Sequence, residues 1–125
     1  MEKQSIAVVG LGQVGSAFLR ELLGQSNPSV EIVAVVESGR TAGRALAEKH
    51  GIRIVSINEL IMMGDTLDIL FDLADDAAVR QELKDKLRAS GNHHTIIATE
   101  NIARMIWTLI SSGAPMPMGQ SKTGS

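Results

Sequence analysis

Three glycines near the start of the chain have the spacing of a phosphate-binding turn. They stand in the string Gly10-Leu-Gly-Gln-Val-Gly15, which has the pattern G-x-G-x-x-G between a strand-like run and a helix. Gly10 permits a tight turn, Gly12 lets an anion approach the backbone, and Gly15 lets the helix pack closely on the strand. The helix that begins at Gln13 then presents its free N–H groups to phosphate oxygens. The pattern therefore predicts a pyrophosphate-containing ligand.

One acidic residue, Glu37, stands where recognition of a ribose needs it. The β-branched run over residues 30–37 predicts a buried strand, and Glu37 is its last residue. A carboxylate there accepts hydrogen bonds from the adenosine ribose hydroxyls, so the turn and the acid together predict a dinucleotide. The charge of Glu37 would repel a 2′-phosphate, which favours NAD. Arg40 and Arg44 follow closely and could hold that phosphate instead, which leaves NADP open.

Strand-like and helical segments alternate along the rest of the chain. Strands are predicted at 5–10, 30–37, 52–55, 68–73 and 95–98, and helices at 13–23, 41–50, 56–63, 76–89 and 100–112. This alternation predicts an α/β fold, a doubly wound open parallel sheet of the Rossmann-like kind with strand order 3-2-1-4-5 and helices on both faces. Ligands bind such sheets beyond the carboxyl ends of the strands, at the switch point between strands 1 and 4.

The domain limits follow from the same pattern. Residues 1–112 are expected to form one dinucleotide-binding domain, and residues 113–125, rich in Gly, Pro and Ser, a flexible polar tail. Gly24 is expected to stop the first helix. The last helix is expected to pack on the sheet through an apolar face formed by Ile102, Met105, Ile106, Leu109 and Ile110. Trp107 lies off that face, either against a partner or partly buried.

Four further polar residues have structural interpretations that compete with chemistry. Asp75 and Asp76 suit helix caps better than a paired acid–base site. His93 and His94 are adjacent at the mouth of the fifth strand, where neighbouring side chains point to opposite faces, so they form a poor metal pair. Because the chain also has no cysteine, the sequence predicts no metal site.

Composition limits the partners. The 125 residues include 12 Lys and Arg against 14 Asp and Glu, a balance that gives little attraction to nucleic acid. No apolar run reaches the roughly 18 residues of a membrane helix, and we expect no secretory segment before the first strand. We therefore expect a cytoplasmic protein that binds neither nucleic acid nor membrane. The open edges of the predicted sheet also suggest a homo-oligomer or a partner protein.

Three segments resemble the N-terminal nucleotide-binding domain of homoserine dehydrogenases and their relatives, such as aspartate dehydrogenase. They are Val8-Val-Gly-Leu-Gly-Gln-Val-Gly15, Asp68-Ile-Leu-Phe-Asp-Leu73 and Ser90-Gly-Asn-His-His-Thr-Ile-Ile-Ala-Thr-Glu-Asn-Ile-Ala103. The resemblance extends over about residues 5–112, and the third segment is more specific than the first. It implies that pyrophosphate is cradled by Gly10, Gly12, Val14 and Gly15 and that Glu37 holds the adenosine ribose. The residues that it places at the nicotinamide ribose are Leu73, Ala74, Thr99, Glu100 and Asn101.

The sequence departs from that family in two ways that bear on activity. Ile102 stands where the family has a lysine near the nicotinamide and the substrate. The catalytic and dimerisation domain of the family has no counterpart in this sequence, so no catalytic residue carries over. We expect a dehydrogenase-like NAD(P)-dependent oxidoreductase, or the nucleotide-binding part of one, that needs a partner chain for the substrate side. The alternatives are a non-catalytic dinucleotide-binding regulatory or interaction subunit and a scaffold that keeps the turn without binding.

Overall fold

The computed structural model describes residues 3–25 and 27–111, which form a parallel sheet covered by helices on both faces. The strands are β1 (Gln4–Val9), β2 (Val30–Val36), β3 (Arg53–Ile54), β4 (Ile69–Asp72) and β5 (Ile96–Ala98). The helices are α1 (Gln13–Gln25), α2 (Ala42–Lys49), α3 (Ile57–Met62), α4 (Ala77–Ala89) and α5 (Glu100–Ile110), with one 3₁₀ turn at Gly64–Thr66. The strand order is β3-β2-β1-β4-β5, and all neighbours are parallel. The predicted fold class and strand order are confirmed.

Two apolar layers hold the helices on the sheet. On one face, Phe18 and Leu19 of α1 pack with Val8, Val35 and Phe71 of the central strands. The rings of Phe18 and Phe71 meet edge to face, with centroids 4.8 Å apart. Because alternate strand residues point to opposite faces, the intervening residues of the same strands form the second layer with α3 and α4. The central strands are therefore buried on both faces, which explains their nearly continuous apolar sequence.

Side-chain hydrogen bonds cap the starts of two helices. The Thr41 hydroxyl accepts the Arg44 N–H at the start of α2. Ser56 and Glu59 form a reciprocal capping box before α3. Hydrogen bonds from the Ser56 backbone and, secondarily, its hydroxyl lower the pKa of Glu59 below its usual value. Local side-chain hydrogen bonds therefore set where these helices begin.

Two predicted helix ends differ from the structure. Gly24 does not stop α1, which continues through Gln25. The backbone of Gly24 is not left-handed, so it cannot form the glycine cap on which that prediction depended. Helix α5 ends at Ile110 rather than at residue 112. The predicted tail over 113–125 lies outside the described residues.

The buried side of α5 differs from the predicted one. Trp107 was expected off the apolar face but is only 9% exposed, and Ala103 is fully buried. With the partly buried Ile106 and Ile110, these residues form a stripe at i, i+3, i+4 and i+7. Three residues of the predicted face, Ile102, Met105 and Leu109, are instead 42%, 55% and 76% exposed. Two overlapping apolar stripes share Ile106 and Ile110, so the helical period could not decide which one faces the sheet.

The two adjacent histidines lie at the other end of the sheet from the carboxyl ends of the strands. Both precede β5, so the alternation of strand side chains does not apply to them. The Nε2 atom of His94 lies 2.6 Å from Oδ1 of Asp68. Asp68 also accepts the Ser5 N–H at 2.8 Å. This cluster therefore joins the beginnings of β1, β4 and β5, at the opposite end of the sheet from the glycine turn.

Candidate functional site

Close backbone contacts explain two of the three glycines, Gly10 against the turn after β4 and Gly15 within the glycine turn itself. Gly10 has a left-handed backbone with φ of 91°, and a Cβ there would lie 2.5 Å from the Cα of Ala74. A Cβ on Gly15 would lie 1.9 Å from the carbonyl oxygen of Gly10. Real Cβ atoms do not approach so closely, so the fold itself requires glycine at both positions.

Gly12 differs from its two neighbours in the motif. Its backbone is not left-handed, and a Cβ placed on it would meet no atom within 4 Å. Nothing in the described part of the chain therefore requires a glycine at this position. Because Gly12 lines the cleft, the space that its missing side chain leaves open faces that cleft. A group from outside the chain can approach the backbone there.

Leu11, between the first two glycines, is held at both of its backbone polar groups. Its N–H donates to Oε1 of Glu37 at 2.6 Å. Its carbonyl accepts the hydroxyl of Ser16 at 2.7 Å, and the same hydroxyl accepts the Gly43 N–H at 2.9 Å. The buried Leu11 side chain anchors the turn further. Ser16 was not predicted as a site residue. In the sequence it is only a small polar residue in the buried part of a predicted helix.

The three backbone N–H groups after Leu11 are not held in this way. Among the described residues, no hydrogen bond is made by the N–H groups of Gly12, Gln13 and Val14. These groups begin α1, whose first turn contains no acidic residue. The unpaired N–H groups and the helix dipole make this end of α1 suited to an anion.

Glu37 lies directly after β2 and bridges two loops. One carboxylate oxygen accepts the Leu11 N–H, and the other accepts the Gly39 N–H at 2.9 Å. Each oxygen can accept more than one hydrogen bond, so acceptor capacity remains for a ligand hydroxyl. The Arg44 guanidinium donates to the backbone carbonyl of Glu37. Arg40 is exposed and lines a neighbouring depression with Ser38 and Arg44 rather than the cleft itself.

The turn after β4 is set by a buried acid. The Asp72 side chain is fully buried and lies 3.1 Å from Nε of Arg80 in α4. Its other oxygen lies 3.4 Å from the Ala74 N–H. Asp76 caps α4 by accepting the Ala78 and Val79 N–H groups, which confirms one of the two predicted caps. The backbone of Asp75 is left-handed, with φ of 54°, a conformation that is uncommon outside glycine.

These loops enclose a cleft of about 550 Å³ at the carboxyl ends of the strands. The predicted site residues that line it are Gly10, Gly12, Gln13, Val14, Glu37, Leu73, Ala74 and Glu100. Gly15 lies beneath the turn. Thr99 and Asn101 are exposed and do not line the cleft. Helix α5 turns back over the sheet, so only its first residue, Glu100, reaches the cleft.

Several lining residues were missed or given another role in the sequence analysis. Ile57 and Val79 come from the starts of α3 and α4 and are apolar residues of the cleft lining. The lining is completed by Val9, Val36, Ser38, Asp75 and Asp76. Their only sequence signal was a position at or just beyond the end of a predicted strand or the beginning of a helix. No group of three His, Asp or Glu residues in the described ranges is arranged to hold a metal ion.

No protein-family model matches the sequence, and no curated protein matches it. Several solved structures, in contrast, match the chain. A Bacteroides fragilis protein assigned as an NADP oxidoreductase matches with a TM-score of 0.60 and 17% identity, over 94% of this chain and 45% of its own. A Sinorhizobium meliloti protein assigned as a myo-inositol dehydrogenase matches with a TM-score of 0.58 and 16% identity, over 78% of this chain and 27% of its own.

The homoserine dehydrogenase of S. aureus also matches, with a TM-score of 0.57 and 16% identity, over 89% of this chain and 30% of its own. At such identity, these matches show the Rossmann-like fold, and the expected resemblance to dehydrogenases is confirmed at that level. The chain spans less than half the length of these three structures. In the described ranges, no helix is both long enough and apolar enough to cross a membrane.

Proposed function

We propose that the cleft binds a nicotinamide dinucleotide, with NAD favoured over NADP. Gly12 carries this proposal, because neither its backbone conformation nor its surroundings require glycine, whereas a pyrophosphate against the turn does. The pyrophosphate would accept hydrogen bonds from the N–H groups of Gly12, Gln13 and Val14. Glu37 would accept the adenosine ribose hydroxyls with the acceptor capacity that its two backbone bonds leave.

The two ends of the cleft suit the two halves of such a ligand. Val36 and Ser38 flank Glu37 at the end of β2, and Ile57 adds an apolar side chain to the lining, so a base could rest beside the ribose held by Glu37. Leu73, Ala74 and Glu100 lie beyond the glycine turn, at the ends of β4 and β5, and would face the nicotinamide ribose. Thr99 and Asn101 could join them only if the start of α5 moves on binding.

The bound dinucleotide would supply hydride transfer, and the chain would bind and orient it. We propose a dehydrogenase-like oxidoreductase module in which a partner chain or domain contributes the substrate side. This assignment is supported by the fold shared with part of several larger proteins described as dehydrogenases or oxidoreductases. A cytoplasmic location remains a prediction from the sequence.

A second candidate is a non-catalytic dinucleotide-binding subunit. It is favoured by Ile102, which replaces a lysine of the resembled family and is 42% exposed on α5. An exposed apolar residue at this position offers no proton and no hydrogen bond to a substrate, but it can contact another protein. Dinucleotide binding without turnover of β-semialdehydes or amino acids would support this candidate.

Calorimetric titration of the chain with NAD, NADH, NADP and NADPH tests the site. Gly12→Val is expected to lower affinity at least about a hundredfold, because its side chain would occupy the place of the pyrophosphate and block several hydrogen bonds. The variant should remain folded, since the space around a Cβ at Gly12 is open. Gly24→Val is the matched control, because Gly24 is also unobstructed but lies at the far end of α1.

The outcomes distinguish the placement of the pyrophosphate, the proposed function and damage to α1. Equal affinity of the wild type and a folded Gly12→Val variant would contradict the placement of the pyrophosphate. No binding of any of the four dinucleotides to the wild type would contradict the proposed function for the chain alone. Loss of binding in both glycine variants would indicate damage to α1 rather than to the site.

A further inference from the structure

The charges that line the cleft are all of one sign. Four carboxylates line it, those of Glu37, Asp75, Asp76 and Glu100. No Lys, Arg or His is among the described residues that line it. A dinucleotide at this site would therefore be held by backbone N–H groups and not by cationic side chains.

Three neighbouring arginines are engaged with other partners, whereas Arg40 lines the adjoining depression beside Ser38. Nε of Arg80 lies 3.1 Å from Asp72, and the guanidinium of Arg104 lies 2.7 Å from Glu100. Arg44 donates to a backbone carbonyl after β2. The pair with Arg104 offsets the charge of Glu100, which leaves the acids of the other loops to determine the potential of the cleft.

Asp75 is the acid with the least compensation. It is exposed, and within the described ranges it accepts no hydrogen bond and forms no ion pair. The neighbouring Asp76 is occupied by two N–H groups of α4. Asp75 follows β4, on the opposite side of the glycine turn from Glu37. A dinucleotide with its adenosine ribose at Glu37 would extend its nicotinamide half towards this side.

The oxidised and reduced dinucleotides differ by one charge at that half. The pyrophosphate carries two negative charges in both forms, and the oxidised nicotinamide ring carries one positive charge that hydride uptake removes. NAD⁺ is therefore a monoanion and NADH a dianion. A negative cleft without cationic side chains disfavours the dianion more, and the added phosphate of NADP still more.

We propose that the cleft is selective for the oxidised dinucleotide and that Asp75 is the main determinant of this selectivity. The proposal rests on the dinucleotide site proposed above and adds the redox form that the site prefers. A chain with this property would hold its ligand less tightly once the nicotinamide is reduced.

Calorimetric titration with NAD⁺ and NADH at low and high salt tests the selectivity. At low salt, NAD⁺ is expected to bind about three- to tenfold more tightly than NADH, the range for one charge interacting across a partly solvated cleft. The ratio should approach one at about 1 M salt, where screening shortens the reach of charges to about 3 Å.

Asp75→Asn separates the role of this residue from that of the whole cleft. Asparagine keeps the side-chain shape and tolerates the left-handed backbone, so the variant should fold. The variant should bind both forms more tightly, NADH by the larger factor, so that the ratio of the two affinities moves towards one. Asp65→Asn is the matched control, because Asp65 is exposed in the 3₁₀ turn before β4, at the other end of the sheet. It should leave the ratio unchanged.

Each result tests a different part of the proposal: the selectivity, the role of Asp75, or the dinucleotide site itself. Equal binding, or tighter binding of NADH at low salt, would overturn the selectivity while the dinucleotide site stands. A selectivity that persists unchanged in Asp75→Asn would overturn the assignment to Asp75. No binding of either form to the wild type would overturn the proposed function together with this inference.

Discussion

Glu37 combines a structural role with a proposed binding role in one carboxylate. Its oxygens join the glycine turn, through Leu11, to the loop after β2, through Gly39. The side chain therefore holds both loops in place before any ligand arrives. Preorganised acceptors cost less to align on binding, so a ribose that meets Glu37 would find its partner already oriented.

Glu37→Ala should weaken NAD more than NADP. The variant removes hydrogen bonds to the ribose of NAD, whereas for NADP it also removes repulsion of the 2′-phosphate. The NAD-to-NADP affinity ratio is therefore expected to fall about tenfold in paired titrations. Glu31→Ala is the control, because Glu31 is exposed near the beginning of the same strand and should leave the ratio as it is. Equal losses of affinity for both dinucleotides would show that Glu37 does not bind the ribose. Glu37 would then have only its structural role.

At the scale of elements, both ends of the sheet are held by acids. At the cleft end, Asp72 fixes the turn after β4 through Arg80. At the opposite end, Asp68 accepts the Ser5 N–H and lies 2.6 Å from His94, so that one side chain joins three strands. The Ser5 backbone hydrogen bond, followed by the one from His94, lowers the pKa of Asp68 below its usual 3.8.

The lowered pKa of Asp68 predicts a stability contribution that depends on pH. The folded state favours the carboxylate, so the contribution is complete above about pH 4 and is lost as the pH falls through the lowered pKa. Asp68→Asn should reduce the free energy of unfolding at pH 7, and the difference from wild type should shrink below pH 3.8. Urea denaturation at pH 7 and pH 3 measures both values.

Asp65→Asn serves as the control for this comparison, since it removes an exposed carboxylate from the same end of the sheet. It should change stability little at either pH. An equal loss in Asp68→Asn at pH 7 and pH 3 would show that the side chain contributes through packing rather than through its charge.

At the scale of the whole molecule, one flank combines an apolar helix surface with an open sheet edge. Ile102, Met105 and Leu109 project from α5 at i, i+3 and i+7, the spacing of a helix-packing seam. Ile96, 63% exposed, begins β5, the last strand of the sheet on this side. The expectation that the chain self-associates or meets a partner protein remains a prediction, and this flank is where we place it.

Sedimentation velocity over a range of concentrations tests the self-association. We expect concentration-dependent dimers in the wild type and monomers in the double variant Met105→Lys with Leu109→Lys, because two charges would have to be desolvated in the contact. Met62→Lys is the control, since Met62 is 84% exposed on α3 and lies outside the seam on α5. Monomers of the wild type at every concentration would contradict self-association. Dimers that resist the double variant would place the contact elsewhere.

The sequence alone predicts the fold class, the strand order and the glycine turn. These properties are local or periodic: apolar runs, capping residues and the spacing of Gly10, Gly12 and Gly15 can be read over a few neighbouring residues. It also predicted most of the cleft lining, since residues just beyond the ends of parallel strands converge at one edge. Thr99 and Asn101 lie outside the lining because of the direction in which α5 leaves β5, and their role at the nicotinamide ribose stays a prediction.

The residues that support the site follow from contacts in three dimensions that no local pattern predicts. The hydroxyl of Ser16 and the carboxylate of Glu37 hold Leu11 through contacts between segments far apart in the chain. Likewise, α5 carries two overlapping apolar stripes, and its packing on the sheet selected the one that contains Trp107. Such choices depend on which surfaces meet in three dimensions, and hydrophobic periodicity along one element does not contain that information.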